Sequence, residues 1–186
     1  MTLPPGDLLA RFQAGEVQAF TDLVGEMGPR LRGFFLRQGS DGATADDLTQ
    51  NVFLRVLQGA DRYQESGRLD AYLLRIARNL WIDHRRRRRP WGLGDDAPEP
   101  VDEGAGPLEL ASLDDRAALV RRALGELDEA ARELLELAVL QRLPYREVGA
   151  ILGVPVGTVK SRVYYALRRL RAILEARGSA IEEGLR

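Results

Sequence analysis

The sequence predicts an all-α protein made of two small helical domains joined by a flexible acidic linker. A chain of 186 residues has room for one or two small domains. Apolar residues recur at spacings of three and four in almost every periodic segment, and no segment alternates convincingly as a strand. Residues 90–113 break this periodicity, because they are rich in Gly, Pro, Asp and Glu and bury too little apolar surface to order themselves. We therefore expect one helical domain over residues 7–89 and a second over residues 114–177.

The first domain begins with two shorter predicted helices and a restart at a proline. Asp7 can cap a short helix that stops at Gly15. The next segment is "EVQAFTDLVGEM", whose shared apolar face consists of Val17, Phe20, Leu23 and Val24. Pro29 is then expected to begin a new helix, "PRLRGFFLRQ", which stops before Gly39.

Two longer helices complete the first domain. One is "TADDLTQNVFLRVLQ", which opens at Thr44 with Asp47 three residues on, an approximate capping box. Its apolar stripe is Leu48, Val52, Phe53 and Val56. The other is "GRLDAYLLRIARNLWIDHRRRRR", the longest helix, which Pro90 ends. Its expected core positions are Leu69, Tyr72, Leu73, Ile76, Leu80 and Trp81.

The second domain is predicted to have four helices, the last two in a helix–turn–helix. The first two are "DDRAALVRRALGEL" and "DEAARELLELAVLQ", and Asp128 is the expected cap of the latter. A short helix "YREVGAIL", then Gly153, then the longer helix "VGTVKSRVYYALRRLRAILEAR" give the helix–turn–helix order.

The last helix has one apolar and one polar-aromatic face. The expected buried stripe, on which Val148 and Ile151 can pack, is Val159, Val163, Leu167, Leu170 and Leu174. The opposite face is Lys160, Ser161, Tyr164, Tyr165 and Arg168. Donors near the start of a recognition helix meet base edges, and the flanking Arg162, Arg169 and Arg171 suit phosphates. The alternative is a surface helix with a solvated basic face.

Charge is strongly segmented along the chain. The formal net charge is -1 and the pI is near 6.0, whereas a protein held on DNA by charge alone should be basic. Residues 30–89 carry 13 Arg against 7 Asp and Glu, and residues 91–115 carry 8 Asp and Glu with no Arg or Lys. Lys160 is the only Lys. Either the last helix is only a surface, or another molecule supplies the affinity for DNA.

Several functional classes have no support in the sequence. The absence of Cys excludes disulfides, thiolate metal sites and Cys nucleophiles. We find no apolar run of about 20 residues, no signal peptide, no phosphate-binding loop, no metal-spaced cluster and no nucleophile beside a base. We expect a cytoplasmic protein that is not an enzyme and has no catalytic residues, metal or cofactor. A free-standing helix–turn–helix transcriptional regulator is the alternative.

Three stretches resemble one family in its own order. The stretch "LPYREVGAILGVPVGTVKSRVYYALRRLR" resembles region 4 of extracytoplasmic function (ECF) sigma factors of the sigma-70 family. The stretches "DDLTQNVFLRVLQ" and "DAYLLRIARNLWIDHRRRR" resemble regions 2.2 to 2.4. The resemblance implies a protein that binds core RNA polymerase, recognises and opens promoter DNA, and directs transcription initiation. Polymerase would then supply most of the DNA affinity, so a net charge near zero is no objection.

The resemblance assigns polymerase docking to the region 2.2 helix. Its counterpart in the family docks on the clamp coiled coil of the largest polymerase subunit. The matching positions here are Asp46, Asp47, Leu48, Gln50, Asn51, Phe53 and Leu54. The alternative is an ordinary amphipathic helix with its acids at the positive end of the helix dipole.

The resemblance assigns the promoter's -10 element to the next loop and helix. Tyr63 to Arg68 matches the loop that captures a flipped base, and Asn79 matches a position lining that pocket. Tyr63 can stack on a base, or it can instead be partly buried against the helix. "HRRRRR" can follow phosphates. The expected -10 contacts are Tyr63, Gln64, Arg68, Arg75, Asn79, Arg85 and Arg86.

The resemblance assigns the -35 element to the last helix. The expected contacts are Thr158, Lys160, Ser161, Arg162, Tyr164, Tyr165, Arg168 and Arg169. Many members carry a basic residue at the position of Tyr165, so the -35 sequence cannot be transferred from a relative. The implied partners are promoter DNA, the clamp and flap regions of core polymerase, and an anti-sigma factor. The acidic linker either runs toward polymerase's RNA exit channel or is a solvated spacer.

Overall fold

The computed structural model describes residues 7–64, 68–88 and 115–184. Every element in these ranges is helical, which confirms the all-α prediction. The chain divides into two compact units. Unit 1 comprises residues 1–36 and 40–106, and unit 2 comprises residues 37–39 and 107–186. The predicted acidic linker, residues 90–113, lies outside the described residues. None of the described helices is long and apolar enough to cross a membrane.

The described residues of unit 1 form four α-helices and one short 3₁₀ turn. They are α1 (Leu8–Gln13), α2 (Val17–Arg37), α3 (Gly42–Gly59), the 3₁₀ turn Ala60–Arg62, and α4 (Leu69–Arg88). Helices α3 and α4 pack against each other. The predicted stripe of α3 is buried throughout, and α4 buries Leu73, Leu80 and Trp81 as expected. This packing fixes which faces of α3 and α4 remain available at the surface.

Helix α3 begins two residues earlier than the sequence predicts. Its N-cap is Asp41, not Thr44. The Asp41 carboxylate accepts one hydrogen bond from the Thr44 backbone N–H and one from the Thr44 hydroxyl, each 2.8 Å long. These bonds lower the pKa of Asp41, the backbone bond most strongly. The predicted box with Thr44 as cap is therefore wrong, because Thr44 lies inside the helix and its free backbone N–H is satisfied by the carboxylate of Asp41 before the helix.

Pro29 lies inside α2 and does not begin a new helix, contrary to the prediction. Leu23, Met27 and Leu31 are buried at spacings of four on both sides of the proline. Burial of this continuous apolar face outweighs the one hydrogen bond that a proline removes from a helix. Val17 and Val24, expected on that face, are exposed.

In the part of unit 2 that the structure describes there are four α-helices and one π-helical turn. They are α5 (Asp115–Gly125), α6 (Glu129–Leu135), the π turn Glu136–Leu140, α7 (Tyr145–Leu152) and α8 (Val156–Gly184). Asp128 caps α6 as predicted, accepting from the Ala131 backbone N–H at 2.9 Å. Helix α8 packs on α5, α6 and α7, and it continues past the predicted end at Arg177.

Two glycines determine the geometry of the turn between α7 and α8. Gly153 has φ +70°, a left-handed conformation that glycine adopts at no steric cost. A Cβ on Gly149 would lie 2.7 Å from the backbone oxygen of Val154. The turn therefore passes so close to α7 that only a glycine fits at position 149, and this sets the direction in which α8 leaves.

Candidate functional site

The outer face of α8 is a cationic and aromatic surface. Tyr164 and Tyr165 are 58% and 65% exposed, and Lys160, Ser161 and Arg168 are exposed beside them, as the sequence predicts. The two tyrosine rings meet edge to face with centroids 5.4 Å apart. The guanidinium carbon of Arg168 lies 5.8 Å from the centre of the Tyr164 ring. Such a surface can donate to base edges and phosphates and can also stack.

The buried side of α8 differs from the prediction at one turn. Val159 and Val163 are buried as expected, but the next buried residue is Ala166, and Leu167 is 42% exposed. Both positions lie on the turn after Val163, so spacing alone does not distinguish them. The smaller side chain is the buried one, on a helix that packs against α5, α6 and α7. Leu167 therefore adds an apolar patch to the outer face.

The arginines that flank this face differ in whether they are bonded to a carboxylate. Arg162 is exposed, whereas Arg169 Nη1 donates to Asp128 Oδ2 at 3.1 Å. Arg171 Nε donates to Glu175 Oε1 at 2.7 Å, and this bond raises the pKa of Arg171. A phosphate would have to replace these carboxylates at 169 and 171. Arg162 meets no such competition from the contacts described.

Two polar residues at the start of α8, Thr158 and Ser161, have less free hydrogen-bonding capacity than the sequence suggests. Thr158 is half-buried. The Ser161 hydroxyl lies 3.1 Å from the Thr158 carbonyl oxygen, to which it donates. Ser161 can still accept a hydrogen bond from a base or a water, but its own donor is engaged by the helix.

A groove of about 430 Å³ lies between α3 and α4. Its α3 wall includes four of the seven predicted docking residues, Asp47, Leu48, Asn51 and Leu54. The complete lining is Thr44, Asp47, Leu48, Asn51, Leu54, Arg55, Gln58, Leu80, Asp83, His84 and Arg87. Both signs of charge and several amides therefore surround an apolar floor, which is a suitable lining for a polar protein helix.

The other three predicted docking residues lie outside this groove. Gln50 is exposed on α3, and Asp46 accepts from Arg32 Nε at 2.6 Å. Phe53 is 8% exposed, and its ring meets that of Phe20 with centroids 6.4 Å apart. Phe53 therefore supports α3 from inside and offers little contact surface.

Sequence reasoning missed the α4 wall of the groove. Asp83, His84 and Arg87 face the docking residues of α3 across it. The His84 ring stacks on Trp81 with centroids 5.7 Å apart, and its buried Nε2 has no hydrogen-bond partner among the described residues. Burial, and then Arg88, lower the pKa of His84. Nothing in the sequence pattern indicates which residues of two helices become neighbours.

The predicted -10 residues divide into an exposed set and one buried tyrosine. Gln64, Arg68, Arg75, Asn79 and Arg86 are exposed, and Arg85 is half-buried. Tyr63 is 9% exposed; its hydroxyl donates to the Asp7 carboxylate, and its ring lies 5.1 Å from that of Tyr72. This is the burial named above as the alternative to base stacking. Residues 65–67 of the predicted loop lie outside the described residues.

Comparison with known families matches both units. The family models for sigma-70 region 2 and sigma-70 region 4 match residues 23–90 and 117–170. The ECF RNA polymerase sigma factor RpoE of Cereibacter sphaeroides is 34% identical, over 82% of this chain and 84% of the relative. RNA polymerase sigma factor CarQ of Myxococcus xanthus is 32% identical, over 89% of this chain and 95% of the relative. This chain belongs to the ECF RNA polymerase sigma factors.

Solved structures agree with this assignment. CnrH, solved with the cytosolic domain of CnrY, superimposes on this sigma factor with a TM-score of 0.68 and 29% identity, covering 91% of this chain and 96% of that one. Sigma factor RpoE of Bartonella quintana, solved with the anti-sigma factor NepR, superimposes with a TM-score of 0.67 and 28% identity. The match covers 84% of this chain and 96% of that one. The function of this sigma factor is therefore promoter-directed transcription initiation, and the free-standing regulator is rejected.

Proposed function

We propose that this sigma factor binds core RNA polymerase, the -10 element and the -35 element through three separate surfaces. The α3–α4 groove and the exposed part of α3 bind core RNA polymerase. The segment after α3 and the exposed face of α4 bind and open the -10 element, and the outer face of α8 reads the -35 element. The observation that carries the proposal is the exposure of Lys160, Tyr164, Tyr165 and Arg168 on a helix whose opposite face is buried.

The docking role rests on the exposed polar groups of α3. Asp47, Gln50 and Asn51 are exposed within one turn of the helix, with the exposed apolar side chain of Leu54 beside them. A carboxylate and two amides can bind an arginine-rich helix of a partner, because the guanidinium group suits carboxylate and amide oxygens. Leu54 adds an apolar contact at the edge of the groove.

The role at the -10 element rests on the exposed face of α4. Arg75 and Asn79 lie one turn apart and are both exposed. An asparagine amide can donate to and accept from one base edge, and an arginine can stack on a base or hold a phosphate. The basic end of α4, Arg85 to Arg88, can follow the DNA backbone.

The proposal has three further parts. Unit 2 also contacts the flap region of polymerase. An anti-sigma factor holds this sigma factor inactive, since sigma factor RpoE of Bartonella quintana is bound to the anti-sigma factor NepR in its solved structure. The protein acts in the cytoplasm and performs no catalysis of its own, since sigma factors are not enzymes.

Run-off transcription with purified core polymerase tests the proposed function. A promoter library is transcribed with and without this protein, and specific transcripts are expected only when the protein is present. Replacing Asp47 and Gln50 with Ala should weaken binding to core polymerase in a pull-down and leave the helical content unchanged. The matched control is Gln18→Ala with Asp22→Ala, which removes an exposed amide and carboxylate from α2. Equal core binding by both double variants would overturn the docking assignment.

A further inference from the structure

Helix α1 lies outside the residues that match region 2, yet it is bonded to the segment that leads into the -10 loop. We propose that α1 is a positioning element for -10 recognition. Gln13 and Asp7 fix the segment Ala60–Tyr63, and thereby the place at which the loop and α4 meet DNA. This inference rests on the proposed role of that loop and of α4 at the -10 element.

Gln13 holds the backbone of this segment at two points. Its Nε2 donates to the carbonyl oxygen of Ala60 at 2.6 Å and to that of Tyr63 at 2.9 Å. These carbonyls flank the last two residues of the 3₁₀ turn, so one side-chain amide fixes the direction in which the chain leaves it. Two acceptors require a group with two N–H donors, which Gln has and Glu lacks.

Asp7 holds the side chain of Tyr63 and caps α1 with the same carboxylate. One oxygen accepts from the Ala10 backbone N–H at 3.0 Å, and the other accepts from the Tyr63 hydroxyl. Formation of α1 and fixation of Tyr63 are therefore coupled through one residue. Since Tyr63 is nearly buried, its ring occupies one position.

Helix α4 holds the same segment from the other side. The Tyr63 ring lies 5.1 Å from Tyr72, and the Arg75 guanidinium carbon lies 6.0 Å from the centre of the Tyr72 ring. Tyr72, Arg75 and Asn79 follow one another at spacings of three and four, so they share one face of α4. A continuous line of contacts thus runs from α1 through Tyr63 to the face of α4 that contains Asn79.

Positioning predicts an effect on discrimination as well as on stability. Base readout depends on donors and acceptors being held within about 0.5 Å of their productive positions. If the segment Ala60–Tyr63 loses its bonds to α1, the contact of Tyr63 with α4 is no longer fixed, and correct and incorrect bases are bound more equally. A hydrogen bond contributes about 1 kcal/mol net, so each variant should lower discrimination about three- to tenfold.

The experiment uses full-length variants in holoenzyme with core RNA polymerase. Transcripts are sequenced from a promoter library that is randomised in the -10 element with a fixed -35 element, and then from the converse library. Gln13→Glu and Tyr63→Phe should each lower discrimination among -10 sequences about three- to tenfold and leave the -35 preference and core affinity unchanged. Asp7→Asn, which keeps a cap and a polar partner for Tyr63, should retain more discrimination than Asp7→Ala.

Gln18→Ala is the matched control, because this amide bonds only to Asp22 on the surface of α2 in the contacts described. If Gln13→Glu prevents folding, Tyr63→Phe carries the test, since it removes one oxygen and keeps the ring. A uniform loss of transcription on all -10 sequences would show that α1 only stabilises the fold, and the proposal would be wrong. Unchanged -10 discrimination in Gln13→Glu and Tyr63→Phe would likewise show that the proposal is wrong. If the -10 preference were unchanged in Asn79→Ala as well, the proposed role of α4 would itself be wrong.

Discussion

Asp41 shows how one side chain sets the start of the helix that forms a wall of the docking groove. Its carboxylate bonds to Thr44 and its pKa is lowered as a result. A carboxyl whose pKa is lower in the folded state stabilises the fold above its unfolded pKa of about 3.9, and this contribution is lost as the pH falls through the folded value. The cap is therefore at full strength at neutral pH and weakens only in acid.

We expect Asp41→Asn to test this pH dependence directly. Asparagine keeps an N-cap oxygen but is uncharged, so acid does not change its protonation as it changes that of Asp41. The melting temperature of wild type should equal or exceed that of the variant at pH 6, and the difference should shrink or reverse below pH of about 4. Thermal unfolding at a series of pH values measures it, with Asp22→Asn controlling for the loss of one charge. A difference that is constant down to pH 3 would exclude a charged cap.

Gly149 is the residue at which the helix–turn–helix tolerates least change. A methyl group there would meet the Val154 backbone oxygen at 2.7 Å, and neither helix can retreat without moving the turn. We expect Gly149→Ala to destabilise unit 2 by about 1–3 kcal/mol, as overpacking does. The control is Gly157→Ala, which meets nothing within 4 Å. Hydrogen exchange of α7 and α8 should be faster in Gly149→Ala only; equal exchange in both variants would contradict this account.

At the scale of helices, periodicity predicted the elements, and contacts between helices decided the exceptions. The stripe of α3 and the cap Asp128 follow from local pattern, and both were predicted. Pro29, and the choice of Ala166 over Leu167, depend on what packs against a helix, which spacing does not contain. For the same reason the sequence indicated the α3 side of the groove and missed the α4 side.

The proposed separation of base contacts from phosphate contacts on α8 gives a prediction for this helix. Lys160→Ala should change the preferred -35 sequence, because a lost base contact costs about 1–3 kcal/mol at one position. Arg162→Ala should weaken all sequences alike and lower the salt slope by about one unit, as a lost phosphate contact does. Arg162 is the better probe than Arg169, which is paired with Asp128. Holoenzyme binding to a -35 library at several salt concentrations distinguishes the two, and identical sequence preferences and slopes would refute the assignment.

At the scale of the whole molecule, near-neutral charge is a consequence of segmentation. Basic blocks lie in both sigma regions, and residues 91–115 carry 8 acidic residues without a basic one. The total of -1 means that the chain gains little from long-range attraction to DNA. Promoter binding should therefore depend on core polymerase.

Neutralising part of the acidic segment tests this account. Replacing Asp95, Asp96 and Asp102 with Asn and Glu103 with Gln removes four negative charges, so the formal net charge changes from -1 to +3. We expect the free variant to bind non-promoter DNA about three- to tenfold more tightly at low salt, with the gain disappearing as salt screens the charges. A variant in which residues 91–115 are scrambled at constant composition should behave as wild type, because the net charge is unchanged. Fluorescence anisotropy with a labelled duplex measures both variants at salt concentrations from about 50 to about 300 mM, over which the Debye length falls roughly twofold. If the neutralised chain binds DNA no more tightly than wild type at any salt concentration, the acidic segment does not limit the DNA affinity of the free protein.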